Sequence, residues 1–248
     1  MRSALFQFAP GDQLEDSGVL VVTGGRFDRT EAFEVLRTAG GGRRVTSVTI
    51  AAGDAYRVEA RCDYTGDDAA VSAAGRGQYA GKPVDIEIVA AGGEATITLS
   101  GSGLAAVDTA PCGADCLIDM APSALPMFTM ARRYDEARGG PQVFRWIARS
   151  LIANQVLLDG SAEIRKLGDF EFVQGERRTP VKQFAFIETL KDEASGQYFK
   201  AAFNLYVDVD NRPLAFATPS STTGERAGYE GITSALPKQI PELNPPSP

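Results

Sequence analysis

Strict period-two alternation limits this chain more than any other feature of its sequence. In Tyr56–Tyr64, the residues Tyr56, Val58, Ala60, Cys62 and Tyr64 share one face, while Arg57, Glu59, Arg61 and Asp63 share the other. Only an extended chain separates side chains in this way, and the pattern suits an antiparallel sheet with one dry face and one wet face. Val84, Ile86 and Ile88 alternate with Asp85 and Glu87, and Ile97 and Leu99 alternate with threonine and serine. Gly92-Gly93 lies between these two runs and predicts a tight hairpin. About thirteen segments read as strands by this criterion and by their turn punctuation. Later ones include Val181–Leu190 and a long run in which Phe199, Ala201, Phe203, Leu205, Val207 and Val209 form one apolar face. Asp159-Gly160 predicts another hairpin, and Asp210-Asn211 predicts a turn into a last strand from Leu214 to Thr218.

The fold class implied is mainly β: one large antiparallel meander over residues 1–248, forming a curved sheet or barrel with one helical insertion. A sheet of so many strands rarely stays flat, and small inward side chains such as Ala60 and Cys62 leave room inside. The insertion spans about 119–152. Ser123 is placed to cap a first helix, Pro126 suits its first turn and Gly139-Gly140 ends it. Pro141 then opens a predicted second helix with Val143, Trp146, Ile147, Ser150 and Leu151 on one stripe. Residues 238–248 are proline-rich and read as a flexible tail.

The chain contains no histidine. Ser-His-Asp and Cys-His nucleophile systems, histidine general bases and His-ligated zinc are therefore excluded. No Gly-rich dinucleotide fingerprint, phosphate-binding loop or nucleophile elbow occurs, and no cofactor is expected. A net charge of −7 argues against nucleic acid as a partner, since phosphate binding needs a basic stripe. No apolar run reaches the length of a transmembrane segment. The three cysteines include Cys112 and Cys116, close enough to form a disulfide in an oxidising compartment, whereas Cys62 reads as a buried free thiol. Two thiols without histidine leave a metal site short of ligands, so no metal is expected. The expected location is periplasmic or secreted if a signal peptide has been removed, and otherwise cytoplasmic. The sequence sets no oligomeric state.

Within the insertion, Met120, Met127 and Met130 cluster beside Phe128, and Trp146 is the chain's one tryptophan. Methionine adapts to irregular apolar shapes, so such a group suits either helix-to-sheet packing or a ligand-contacting wall. Arg132 and Tyr134 belong to the densest polar run, which reads as a solvated helix face or as the polar end of an apolar pocket. Asp119, Tyr134 and Asp135 are the candidates for acid–base chemistry, because burial would raise a carboxylate into a useful range.

This layout, with its Asp-Asn-Arg-Pro-Leu turn at Asp210 to Leu214, resembles secreted bacterial half-barrel proteins of the lipoprotein-carrier kind. The resemblance implies a curved sheet wrapped around an apolar cavity. Two functions are expected to compete. One is a binding or carrier protein for an apolar or amphipathic small molecule held between sheet and insertion by Met120, Met127, Phe128, Met130, Arg132 and Trp146. The other is a histidine-free isomerase, cyclase or lyase acting on a hydrophobic substrate through carboxylate, tyrosine and arginine groups.

Overall fold

A computed structural model describes residues 7–24, 28–79, 82–101, 104–121, 123–150, 157–192, 195–219 and 222–239. The first meander comprises β1 (Gln13–Thr23), β2 (Arg29–Arg37), β3 (Arg43–Ala51), β4 (Tyr56–Tyr64), β5 (Ala70–Tyr79), β6 (Lys82–Ala91), β7 (Glu94–Gly101) and β8 (Leu104–Pro111). Next come β9 (Cys116–Ala121), α1 (Leu125–Arg133), β10 (Gln142–Ser150), β11 (Leu157–Gln174) and β12 (Arg177–Asp192). β13 (Tyr198–Val207), β14 (Pro213–Ala217), β15 (Thr223–Arg226) and the short α2 (Ile232–Ala235) complete the chain.

All fifteen strands belong to one sheet, with β1 paired to β15 in its middle and β8 and β9 at its two edges. Each neighbouring pair is antiparallel except β9–β10, which α1 makes parallel by carrying the chain back across the interior. The sheet curls without closing. The two edges are consecutive in sequence and are tied by the Cys112–Cys116 disulfide, whose Cα atoms lie 5.0 Å apart. Cys62 is free and buried.

Small side chains do leave room inside, but protein fills much of it. β9 packs against β5, whose inward positions are Ala73, Gly75 and Gly77. Glycine has no Cβ, so one backbone can approach another closely there. α1 lies beside β9 and against β13, with every residue from Leu125 to Ala131 buried. A second, smaller cluster on the outer face joins Phe172, Tyr206 and Leu214 to Ile232 of α2 and Leu236. Tyr206 donates its hydroxyl to Pro237 O at 3.3 Å. β14 is consequently buried along its whole length.

The alternation in β4 holds: its five apolar positions are buried, and Arg57, Glu59, Arg61 and Asp63 are not. The turn at Gly92-Gly93 joins β6 to β7, and Asn211 takes φ 60° in the turn before β14. Phe203, Leu205 and Val207 belong to the main core, whereas Phe199 is exposed.

Three expectations are corrected. The helical insertion is smaller than 119–152: β9 precedes α1, α1 ends at Arg133, and residues 142–150 are strand. Trp146 and Ile147 suggested a helical stripe because four consecutive residues of β10, Trp146 to Arg149, are all buried, which erases period two there. Leu151, the last residue of that stripe, lies outside the described residues. Asp159-Gly160 is not a hairpin; it sits inside β11, with Gly160 opposite both Trp146 and Leu190. Glycine stands there because a Cβ would fall 2.1 Å from Thr189 O. Of the predicted tail, residues 240–248 lie outside the described residues.

Candidate functional site

A cavity of about 460 Å³ opens between α1, the inward ends of β1–β3 and the turn before β14. Period two places Val35 and Val45 on its floor, and the helix adds Leu125 and Phe128. Leu14 forms an apolar lip, 54% exposed. Charged groups ring the opening: Glu15, Asp16, Arg43, Arg132, Asp210 and Arg212.

These charges are unequally committed. Glu15 accepts from Arg37 Nε at 2.8 Å and from Arg43 Nε at 3.0 Å. Burial pushes the Glu15 carboxyl up, but the two arginines outweigh this and hold it below its ordinary range. Asp16 is occupied by Arg226 in a two-pronged pair at 2.7 and 3.0 Å. Asp68 takes Arg43, with Arg132 Nε 3.6 Å away. Among the described residues Arg132 otherwise donates a long bond to Asp210 O at 3.3 Å, and its Nε makes no hydrogen bond there. Arg212 reaches Asp210 at 3.4 Å and Asp208 at 3.9 Å. Arg132 and Arg212 thus line the mouth in longer charge contacts than those of Arg43 and Arg226.

Deeper inside, three inward positions carry carboxylates. Glu31 shares the parity of Phe33 and Val35, Glu188 that of Phe184 and Phe186, and Asp119 that of Leu117. Glu31 is 0% exposed and accepts from the Ser123 hydroxyl and from Ala124 N–H at 2.9 Å, holding the start of α1 to β2. Desolvation raises its carboxyl despite these bonds. Asp119 is raised well above its ordinary value by burial and by the charges of Glu188 and Glu31, and its Oδ1 has no hydrogen-bond partner. Burial pushes Glu188 up to about 7.

A group raised on folding stabilises the protein fully below its unfolded value and loses that contribution as pH rises through the folded one. Stability is therefore expected to fall between about pH 4.5 and pH 8, with Glu188 contributing about 3 kcal/mol of the loss. Glu188→Gln, followed by denaturant unfolding across that range, should flatten the curve and leave the smaller slope due to Asp119 and Glu31. An unchanged slope would place Glu188 in solvent.

The structure divides the residues singled out by sequence. Phe128 and Arg132 line the mouth cavity. Met120, Met127 and Met130 are buried in the main core, as is Trp146 at 0% exposure, packed edge-on against Phe186 with centroids 5.3 Å apart. Tyr134 donates to Gly140 O at 3.0 Å, and Asp135 accepts from the backbone of Ala137 and Arg138, so both hold the turn after α1. Of the acid–base candidates, Asp119 carries a buried oxygen without a hydrogen-bond partner, whereas the buried Tyr134 is committed to Gly140. Sequence reading missed Leu14, Arg43 and Arg212, whose grouping depends on the curl of the sheet. It also missed Glu31 and Glu188, for which inward parity beside two apolar residues was an available signal.

Among the described residues no helix is long and apolar enough to cross a membrane, and no group of three ligating side chains converges as for a metal ion. No family model matches the chain, and no curated protein matches it. Among solved structures, it is similar to a DUF1089 family protein from Pseudomonas aeruginosa. That likeness has a TM-score of 0.40 at 15% identity and covers 86% of this chain and 93% of the other. A likeness this slight carries no argument about function.

Proposed function

We propose that this protein binds an amphipathic small molecule in the mouth cavity, with its apolar part on Val35, Val45, Leu125 and Phe128 and its polar head at Arg132 and Arg212. The observation that supports the reading is a cavity of about 460 Å³ in which apolar residues and two arginines line the same space. That volume lies within the usual range for small-molecule sites, which combine apolar walls with a few placed polar groups. The layout of the sequence, similar to half-barrel carriers, points the same way.

Calorimetric titration with decanoate and decanol provides the test. Decanoate is expected to bind, and Arg132→Ala with Arg212→Ala should weaken it roughly 10- to 100-fold while hardly affecting decanol, because charge-assisted hydrogen bonds contribute about 1.5–3 kcal/mol. Leu14→Glu changes an exposed lip residue without touching the core, and should weaken both probes. Decanoate binding that survives Leu14→Glu and the arginine changes would place the ligand elsewhere.

A further inference from the structure

The mouth cavity has a depth as well as a lining, and α1 sets it. Val35 and Val45 of the sheet and Leu125 and Phe128 of α1 close its inner end. Beyond them the interior is packed protein: Met120, Met130 and Trp146 are 0% exposed and belong to the main core. The helix is also tied at both ends. At its start, Glu31 accepts from the Ser123 hydroxyl and from Ala124 N–H. At its other end, Arg133 donates to Ala114 O at 2.8 Å and to Cys116 O at 3.4 Å, beside the disulfide that joins the sheet edges. Between these ties, every residue from Leu125 to Ala131 is buried. Such a floor does not slide aside to lengthen the space, because that would break buried hydrogen bonds and unpack the core. The capacity of the cavity is therefore fixed. At about 30 Å³ for each non-hydrogen atom, the share a water takes in its liquid, about 460 Å³ holds roughly fifteen such atoms.

We infer that the ligand class is a single-chain amphiphile with an anionic head and about twelve carbons, and that two-chain lipids are not accommodated. The inference rests on the mouth cavity being the binding site. The head belongs at the opening, where Arg132 and Arg212 lie, so the chain points inward toward Phe128. A longer chain meets the floor. It must then lift its head from the arginines or fold carbons back past Leu14 into water. A lipid with two such chains exceeds the capacity about twofold, so one chain stays uncovered. In a homologous series the head contributes the same to every member, and only the buried length changes. Capacity, and not the arginines, then decides which length is preferred.

The test is calorimetric titration of the full chain with the even-numbered carboxylates from hexanoate to hexadecanoate, each kept below its micelle concentration. Affinity is expected to rise about fourfold per added methylene as far as dodecanoate, and then to stay level or fall. Val45→Phe adds a ring to the floor and should move the break roughly two carbons shorter. Thermal unfolding checks that this variant folds; should it fail, the series on the parent protein still decides. Dioctanoylphosphatidate should bind no tighter than octyl phosphate, since only one of its chains gains cover. Affinity that climbs at the same rate to hexadecanoate would overturn the length limit while leaving the mouth cavity as the site. So would a two-chain probe that binds tighter than its one-chain counterpart. Absence of decanoate binding, or decanoate binding that ignores Leu14→Glu and the arginine changes, would instead overturn the site, and the limit with it.

Discussion

Gly160→Ala should destabilise the protein by about 3 kcal/mol, lowering the midpoint of thermal unfolding by roughly 6–12 °C for a chain of this size. The added Cβ would sit 2.1 Å from Thr189 O and 3.1 Å from Leu190 Cα, both backbone atoms of β12. A flexible side chain could swing away; a strand held in a ladder on both sides cannot. Relief must come from separating β11 from β12, which carry the longest pairing in the sheet. Gly92→Ala is the matched control. Its φ is 62°, so alanine is strained there by about 1–2 kcal/mol, but nothing lies within 4 Å of the new methyl. If scanning calorimetry finds the two variants equal, Gly160 tolerates a side chain and the close approach of β12 is relaxed in solution.

The second large effect is expected at Glu31. Its carboxylate accepts from Ser123 and Ala124, and Ser47 donates to Ser123 at 3.2 Å. Glu31→Ala would leave a buried hydroxyl and a buried amide N–H without an acceptor and would open a small cavity. Each orphaned group costs about 1–3 kcal/mol, so a loss near 4 kcal/mol is expected in denaturant unfolding. Glu31→Gln retains an acceptor oxygen and should lose no more than about 1.5 kcal/mol. The alanine variant should also bind decanoate poorly, since α1 supplies Leu125 and Phe128 to the cavity and is held at its start by Glu31. Full stability in Glu31→Ala would mean that α1 is positioned by its apolar packing alone.

These two positions show how unevenly the molecule can be read from its sequence. β4 was legible because only one of its faces is buried, and β6 and β7 were legible for the same reason. β10 was misread because its consecutive residues Trp146 to Arg149 are all buried, which removes the periodic signal. Gly160 reads as a turn residue next to Asp159, yet its reason is steric and comes from a strand about thirty residues further on. The site divides in the same way. Phe128 and Arg132 were identified from local helix chemistry, and they do line the cavity. Their partners Val35, Val45 and Arg212 come from distant segments that share no motif with them.

Alternation, glycine turns and the absence of histidine by themselves determined that this chain is a large, mainly antiparallel sheet without histidine-based chemistry. Those are local properties: which face a residue takes depends on its immediate neighbours, and a missing residue type is missing everywhere. Tertiary structure alone decided that β9 and α1 fill the interior, that β1 meets β15, and that the mouth opens beside Arg132. It also decided that Glu31 of β2, Asp119 of β9 and Glu188 of β12 come within electrostatic reach of one another. The physical reason is that burial and electrostatic surroundings are set by segments far apart in sequence, and only the curl of the sheet brings those segments together.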